Sequence, residues 1–468
     1  MKKLILFTIL TAAILASPYA IRIAAGENLL YGDQPYYHAR IARQILEGTI
    51  TLKDALIYNE RPHFLGPYHV LLAYASKITG VHAASIVLPL LLGIASFAVF
   101  YIIISRAIPD AKKQAMVAVL LVTSPIFIAT FSQSSPQGLP ILLCLLGYLM
   151  LNNRKTTIPG FILLASTIIF GLFNAGLALV LLVSHYTTKN RTKLTYLALL
   201  GTAFLASMAY YALFAQRPAA GSLPSTIISD LGGYGFGAFT LLLFTTGIVL
   251  SWKKKNYYTL PYYLLLYISA AVFLDIRMLP YLSLPVAIFA GEGLYSISTA
   301  KWEMETIKKL TILLIACGLV FSTASYINRL HREGPGNEEL QALEWLRQQP
   351  DGLVLSHYSN GFVIEYYSQK PVLLNSFLVE YLKNRYLDSE EIFSSRNLQN
   401  TERLLNKYDV RYIYIDSAMK SGKVWNKGDE GLLFLFRNKD AFQLAYKTEN
   451  VEIWVHKTRV PQTQAASS

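Results

Sequence analysis

Asp33 stands before Gln34 and Pro35 at the end of an extended segment, and the residues after it read as an amphipathic helix, Tyr36 to Leu46, carrying His38, Arg40 and Arg43. A second group, Glu60, Arg61 and His63, follows in the same polar stretch. A carboxylate beside cations and aromatics has two physical uses. It can take a proton from an attacking hydroxyl while a neighbouring Arg or His neutralises a departing phosphate, or it can simply cap the helix that begins at Tyr36. The spacing alone leaves both open. His69, which opens the next helix, ranks below Glu60 and Arg61 as a contributor, because it can equally face lipid headgroups.

The elements that must position these residues are set by composition. Of 468 residues 53% are hydrophobic and 15% charged, and the mean hydropathy is +0.36, which excludes an ordinary water-soluble chain. The 42 Lys and Arg against 29 Asp and Glu give a net charge of +13. Its distribution points to membrane topology and not to nucleic acid. Only Cys144 and Cys317 are present, both in apolar runs, so neither a disulfide framework nor a cysteine metal site is read. The N-terminal MKKLILFTILTAAILASPYA has the makings of a secretory signal, but its apolar run continues through Ile23 and reads as a first membrane helix.

Apolar stretches near the roughly 20 residues a bilayer requires recur at Leu4 to Ile23, Ala84 to Ile104, Ala115 to Phe131, Gly138 to Leu151, Leu194 to Phe214, Gly237 to Trp252, Tyr258 to Leu274, Leu279 to Ile297 and Leu310 to Tyr326. Basic residues cluster between alternate stretches, and every cluster becomes cytoplasmic if Ile158 to Ser184 is a hairpin turning near Asn174 and Gly176. The count is then about eleven crossings, with the N-terminus cytoplasmic and the C-terminus outside. Glu27, Asp33, Asp54, Glu60, Asp230 and Asp275 fall on the outer side.

The expected organisation is a transmembrane domain over 1–327, including a first outer loop at 24–80, followed by a soluble outer α/β domain over 328–460 and a disordered tail at 461–468. In the soluble part, NEELQALEWLRQQ and NTERLLNKYD read as helices, while GLVLS, VRYIYID, FQLAYKT and VEIWVHK read as strands, the last two joined by a turn at Glu449 and Asn450.

An Asp in the first outer loop followed by the YYH-x-R run, Tyr36 to Arg40, resembles the signature of the GT-C superfamily of membrane glycosyltransferases, which includes the oligosaccharyltransferase catalytic subunit and the protein O-mannosyltransferases. RPHFLGPYHVLLAYASKITG is similar to the family's segment before the second span, and DIRMLPYLSLPVAIFAGEGL to a late span with an Arg near its outer end. The run from Ala342 to Leu374 resembles the outer domain of archaeal oligosaccharyltransferase-like proteins. The resemblance implies a polytopic α-helical membrane protein that moves a sugar, with inversion, from a polyprenyl (dolichyl) phosphate or diphosphate to a protein or glycan acceptor. It implies Asp33 as base or metal ligand, with Mg2+ or Mn2+ as the ion if there is one, and Arg277 as the contact to the lipid phosphate. Arg277 can equally snorkel from its helix end.

TIISD places Asp230 where oligosaccharyltransferases keep a TIxE-like motif, although an Asp before GGYG also suits a helix start. Two departures stand out. The second outer loop, FSQSSPQGLP, carries no carboxylate to complete a divalent site. Where the family has WWDYG, this chain has His357, Tyr358, Ser359, Asn360 and Gly361, so glycosylation of Asn-x-Ser/Thr sequons is not implied. His357 is read as an acceptor contact or as a satisfied surface histidine. A flippase for lipid-linked sugars, or a non-catalytic relative that binds lipid-sugar or a partner protein, are the competing readings. The expected location is a cell membrane, archaeal by resemblance, with membrane lipids among the partners.

Overall fold

The structure is a computed structural model that describes residues 2–51, 53–56, 58, 61–62, 65–153, 155–189, 227–254, 256–379 and 381–457. The expected span from Leu194 to Phe214, Glu60, His63 and the tail 461–468 lie outside the described residues. Two compact units emerge. One combines Met1–Ala25 with Gly66–Arg332, and the other combines Gly26–Leu65 with Glu333–Ser468. Most of the loop that the sequence groups with the helical domain is therefore built into the same unit as the C-terminal residues.

The first unit is helical. Lys2–Ala25 and Val81–Ala107 are long and apolar enough to cross a membrane, as is the helix beginning at Glu305, and Ala111–Val122 with Pro125–Ser132 forms a broken pair bent by 60°. The break has a simple cause, because Pro125 lacks the N–H that would continue the first helix. Shorter apolar helices follow at Gly138–Leu151, Thr157–Phe170, Ala238–Ser251 and Thr259–Leu274. The expected hairpin region divides into two helical segments at Gly171, whose φ of 125° is open to glycine alone, three residues before the expected turn at Asn174.

Ala238–Ser251 and Leu279–Thr299 pack backbone to backbone. A Cβ on Gly247 would lie 1.7 Å from the Phe289 carbonyl oxygen, and one on Gly293 would lie 2.2 Å from that of Leu243, so glycine at both positions lets the backbones touch. The same Leu279–Thr299 helix buries Glu292, which is paired with Lys113 and accepts a hydrogen bond of 2.7 Å from the Tyr258 hydroxyl. A carboxylate in this setting requires such a partner.

The second unit is an α/β module. Strands β1 (Lys53–Asp54) and β2 (Arg61–Pro62) form a pair of their own, while β3 (Leu353–Leu355), β4 (Val410–Asp416), β5 (Phe442–Lys447) and β6 (Val451–His456) form one sheet in the order β3-β4-β6-β5. β3 and β4 run parallel, and the chain between them supplies the helices Gly361–Ser368, Lys383–Ser394 and Leu398–Lys407. β5 and β6 are an antiparallel hairpin. Leu355, Ile413, Ile415, Leu405, Trp425 and Phe442 centre the core.

Residues 26–65 join this unit by backbone and by side chain. The Val372 N–H donates to the Leu56 carbonyl at 3.1 Å, and the Tyr58 N–H donates to the Val372 carbonyl at 3.3 Å. The Gln34–Glu47 helix ends at Gly48, whose left-handed backbone (φ 68°) returns its N–H to the Gln44 and Ile45 carbonyls. Its Tyr37 ring packs against Phe362 and Phe377, each with a centroid separation of 5.1 Å.

Candidate active site

Asp33 caps the Gln34–Glu47 helix, accepting the Gln34 N–H on Oδ1 at 2.7 Å. Its other oxygen, Oδ2, accepts the hydroxyl of Ser376. The capping role and a chemical role are thus compatible, because one carboxylate has an oxygen for each. Burial pushes the Asp33 carboxyl above the ordinary carboxylate value, opposed by the bonds from Ser376 and Gln34 and by the charge of Lys423. A carboxylate held up in this way is a better proton acceptor than one in open water.

Lys423, in the Met419–Lys423 turn after β4, donates to Ser359 Oγ at 2.5 Å. Ser359 Oγ also meets His357 Nδ1 at 2.8 Å, so serine, lysine and histidine form one short chain of contacts. His357 is buried, and burial first and Lys423 second bring its proton affinity down to about 4. It is therefore neutral near pH 7 and can act as a hydrogen-bond partner, not as a cation. Asn360 donates to Asp416 Oδ2 at 2.6 Å and to Ser356 Oγ at 3.1 Å, which fixes the 357–360 turn on the end of β4. The Tyr358 hydroxyl is raised in proton affinity, by burial first and in part by the Asp33 charge. Asp33 with Ser376 is one bonded pair and Lys423, Ser359 and His357 another, and the Lys423 charge acts on the first.

The other expected site residues fall elsewhere. His38 is buried with its ring against Tyr37 and Phe377. Arg40 is enclosed, with Nη1 donating to Asp54 Oδ1 at 2.7 Å and Nη2 to Glu365 Oε2 at 2.9 Å. Burial opposes its charge, but Glu365 and Asp54 outweigh this and hold the guanidinium protonated. The phosphate contact expected of Arg40 is replaced by an anchoring role, because both faces of its fork are bound to carboxylates. Arg61 contributes backbone to β2, which pairs it with Asp54.

Asp230 and Arg277 belong to the helical unit. Asp230 Oδ2 accepts the Ala238 N–H at 2.7 Å and Oδ1 accepts the Ser322 hydroxyl at 2.8 Å. It works as a helix-start residue that also ties the turn to the Glu305–Leu330 helix, a role reinforced by Arg329, which donates to the Ser229 carbonyl at 3.0 Å. Arg277 is exposed and forks onto Asp275, with Nε at 2.8 Å from Oδ1 and Nη2 at 2.7 Å from Oδ2.

No family model matches the sequence, and no curated protein is similar to it. Solved structures are similar in fold. The oligosaccharyltransferase of Archaeoglobus fulgidus in its apo form aligns with a TM-score of 0.60 at 16% identity, covering 92% of this chain and 72% of that one. The arabinofuranosyltransferase AftD from Mycobacteria aligns at 0.55 and 14% identity over 98% of this chain and 40% of its own. ArnT from Cupriavidus metallidurans in the apo state aligns at 0.53 and 12% identity, over 97% and 98% respectively. The chain shares the fold of these solved GT-C glycosyltransferase structures.

The donor set around Asp33 is sparse. Among the described residues no three His, Cys, Asp or Glu side chains stand together in a way that could hold an ion. Asp54 and Glu365 are both engaged by Arg40. A hard divalent cation such as Mg2+ or Mn2+ takes several charged oxygen ligands, and the residues described do not fit one.

Ser376, Lys423, Glu365 and Asn375 are not singled out by the sequence. Ser376 stands in the apolar run VLLNSFLV and Lys423 in the polar run MKSGK, with nothing in their spacing to distinguish them. Glu365 carries one signal, a lone acid within the apolar run GFVIEYY, where a charge requires a buried partner.

Proposed function

We propose that the chain is an inverting glycosyltransferase that moves a sugar from a polyprenyl (dolichyl) phosphate or diphosphate carrier to a hydroxyl of a protein or glycan acceptor. The observation that carries this reading is Asp33, a half-buried carboxylate with raised proton affinity, held by Ser376 and under the charge of Lys423. Asp33 takes the proton of the acceptor hydroxyl as its oxygen attacks the anomeric carbon. The bond from that carbon to the carrier phosphate breaks, the phosphate leaves with the electron pair, and the configuration inverts.

Lys423 and the neutral imidazole of His357 offer hydrogen bonds to acceptor or sugar hydroxyls. Arg277 in the helical unit remains the proposed phosphate contact, in competition with Asp275, and Arg61, Glu60 and His38 remain proposed contributors in the loop. Among the similar structures, the A. fulgidus enzyme was solved with an inhibitory peptide and a dolichol-phosphate, and ArnT with undecaprenyl phosphate. A carrier of that class is the proposed donor here. The proposed orientation places the C-terminal unit outside the cell, with the N-terminus cytoplasmic.

The test is transfer from a panel of radiolabelled polyprenyl-phosphate sugars by the purified protein and its Asp33→Ala form, with and without chelator. Transfer by the first and not by the second supports the reading, and persistence in chelator supports a metal-free reaction. If neither form transfers sugar while both bind or move the labelled lipid, a flippase or binding protein replaces the enzyme.

A further inference from the structure

We propose that Glu365 is the positioning residue that sets the Asp33 carboxylate, by holding both of the segments that touch it. The inference deepens the reading of Asp33 as the reacting base and rests on it.

Two arms run from Glu365. Through Oε2 it accepts from Arg40 Nη2 at 2.9 Å, and Arg40 lies two turns along the helix that Asp33 caps. Through Oε1 it accepts from Asn375 Nδ2 at 2.8 Å. Asn375 Oδ1 in turn accepts the N–H groups of Phe377 and Leu378, each at 3.2 Å, and so shapes the turn that carries Ser376. Ser376 closes the ring with its hydroxyl on Asp33 Oδ2. The helix that starts at Asp33 and the turn that bonds it are therefore referenced to one carboxylate.

Glu365 is fully buried, as are Asp54 and Asn375 at 1% exposure. An acid placed there solely to fill space would be better replaced by an apolar residue. The arrangement has a further brace on the same face of the helix, since Arg43 Nη2 donates to the Tyr366 hydroxyl at 2.6 Å and its guanidinium stacks 4.5 Å above that ring. Glu365→Gln retains the volume but puts an amide where a carboxylate met two donors, so one arm loses its acceptor.

The full-length protein in detergent is labelled with a carbodiimide and glycine ethyl ester, and modification of Asp33 is read by mass spectrometry. Glu365→Gln and, separately, Asn375→Ala are expected to raise Asp33 labelling by about five-fold, the equivalent of one lost hydrogen bond, towards the level of Ser376→Ala. In the transfer assay kcat falls with KM retained. Unchanged Asp33 labelling in a folded Glu365→Gln protein overturns the proposal, and unchanged labelling in Asn375→Ala overturns it equally if the first variant does not fold. Raised labelling with no transfer by any form, wild type included, leaves the positioning standing and removes the reading of Asp33 as base. Transfer by wild type with labelling and kcat unaffected in the variants does the reverse.

Discussion

Ser376 donates its hydroxyl to the Asp33 carboxylate, although 343 residues separate the two in the chain. The bond leaves Asp33 with one oxygen committed to the helix start and the other to a serine hydroxyl, the position proposed for the acceptor hydroxyl. That division of one carboxylate between structure and chemistry underlies the first expectation.

Asp33→Asn should retain the cap, since Asn and Asp cap equally well, yet remove the proton acceptor. Transfer is expected to fall by roughly 10²- to 10⁴-fold while the melting temperature stays near that of the wild type. Asp33→Ala should lose transfer and, in addition, about 1 kcal/mol of stability. A transfer assay beside a thermal melt separates the two effects. Full transfer by the Asn form would exclude Asp33 as base.

Lys423 lowers the proton affinity of both Asp33 and His357. With Lys423→Met both rise, so the ionised form of Asp33 is reached only at higher pH. The acid limb of the pH–rate profile is expected to move to higher pH, with less activity on its acid side. An acid limb at the wild-type position would show that Lys423 does not act on the reacting carboxylate.

Glu365 gives stability a pH dependence of defined sign. Its carboxyl is pushed up to about 7, by burial first and by the Asp54 charge, against the pull of Arg40 and Asn375. The folded protein therefore binds a proton that the unfolded chain releases near 4.5. The stabilisation from this proton is complete below the unfolded value and is lost as pH rises through the folded one. The melting temperature of wild type, taken relative to Glu365→Gln, should fall between about pH 5 and about pH 8. A constant difference across that window would mean that Glu365 is already ionised in the folded state.

Asp230 and Arg277 should separate by readout. Asp230→Ala removes the acceptor at the start of the Ala238–Ser251 helix and is expected to cost about 1–2 kcal/mol, with KM for the lipid donor unchanged. Arg277→Ala breaks only an exposed pair and should change stability by less than about 1 kcal/mol, while raising KM for the lipid donor. Retention of the wild-type KM by Arg277→Ala would leave that residue as a partner of Asp275 alone.

Local features were legible without the structure. Asp33 before Gln-Pro suits a helix cap because capping and proline preferences act over a few residues, and the helix expected from Tyr36 begins two residues earlier, at Gln34, with Asp33 already in helical backbone. VRYIYID and VEIWVHK mark strands because β-branched and aromatic residues suit a pleated sheet, and both are paired in register. Of the apolar runs, those at Leu4 to Ile23, Ala84 to Ile104 and Leu310 to Tyr326 fall in helices long enough to cross a bilayer, which takes roughly 20 residues, while Gly138–Leu151, Ala238–Ser251 and Thr259–Leu274 are shorter apolar helices.

The partners of each polar group were decided only by tertiary structure. Arg40 reads like a phosphate contact in sequence, yet it is bound to Asp54 and Glu365. The hydroxyl on Asp33 comes from Ser376 and the nearby charge from Lys423, neither of which has a distinctive spacing. The unit that holds Asp33 joins residues 26–65 to residues 333–468 across the whole helical segment. Sequence patterns report hydrogen bonding and burial along a segment, whose period is local. Which segments meet depends on complementary surfaces hundreds of residues apart, and a carboxylate's chemistry depends on what it meets.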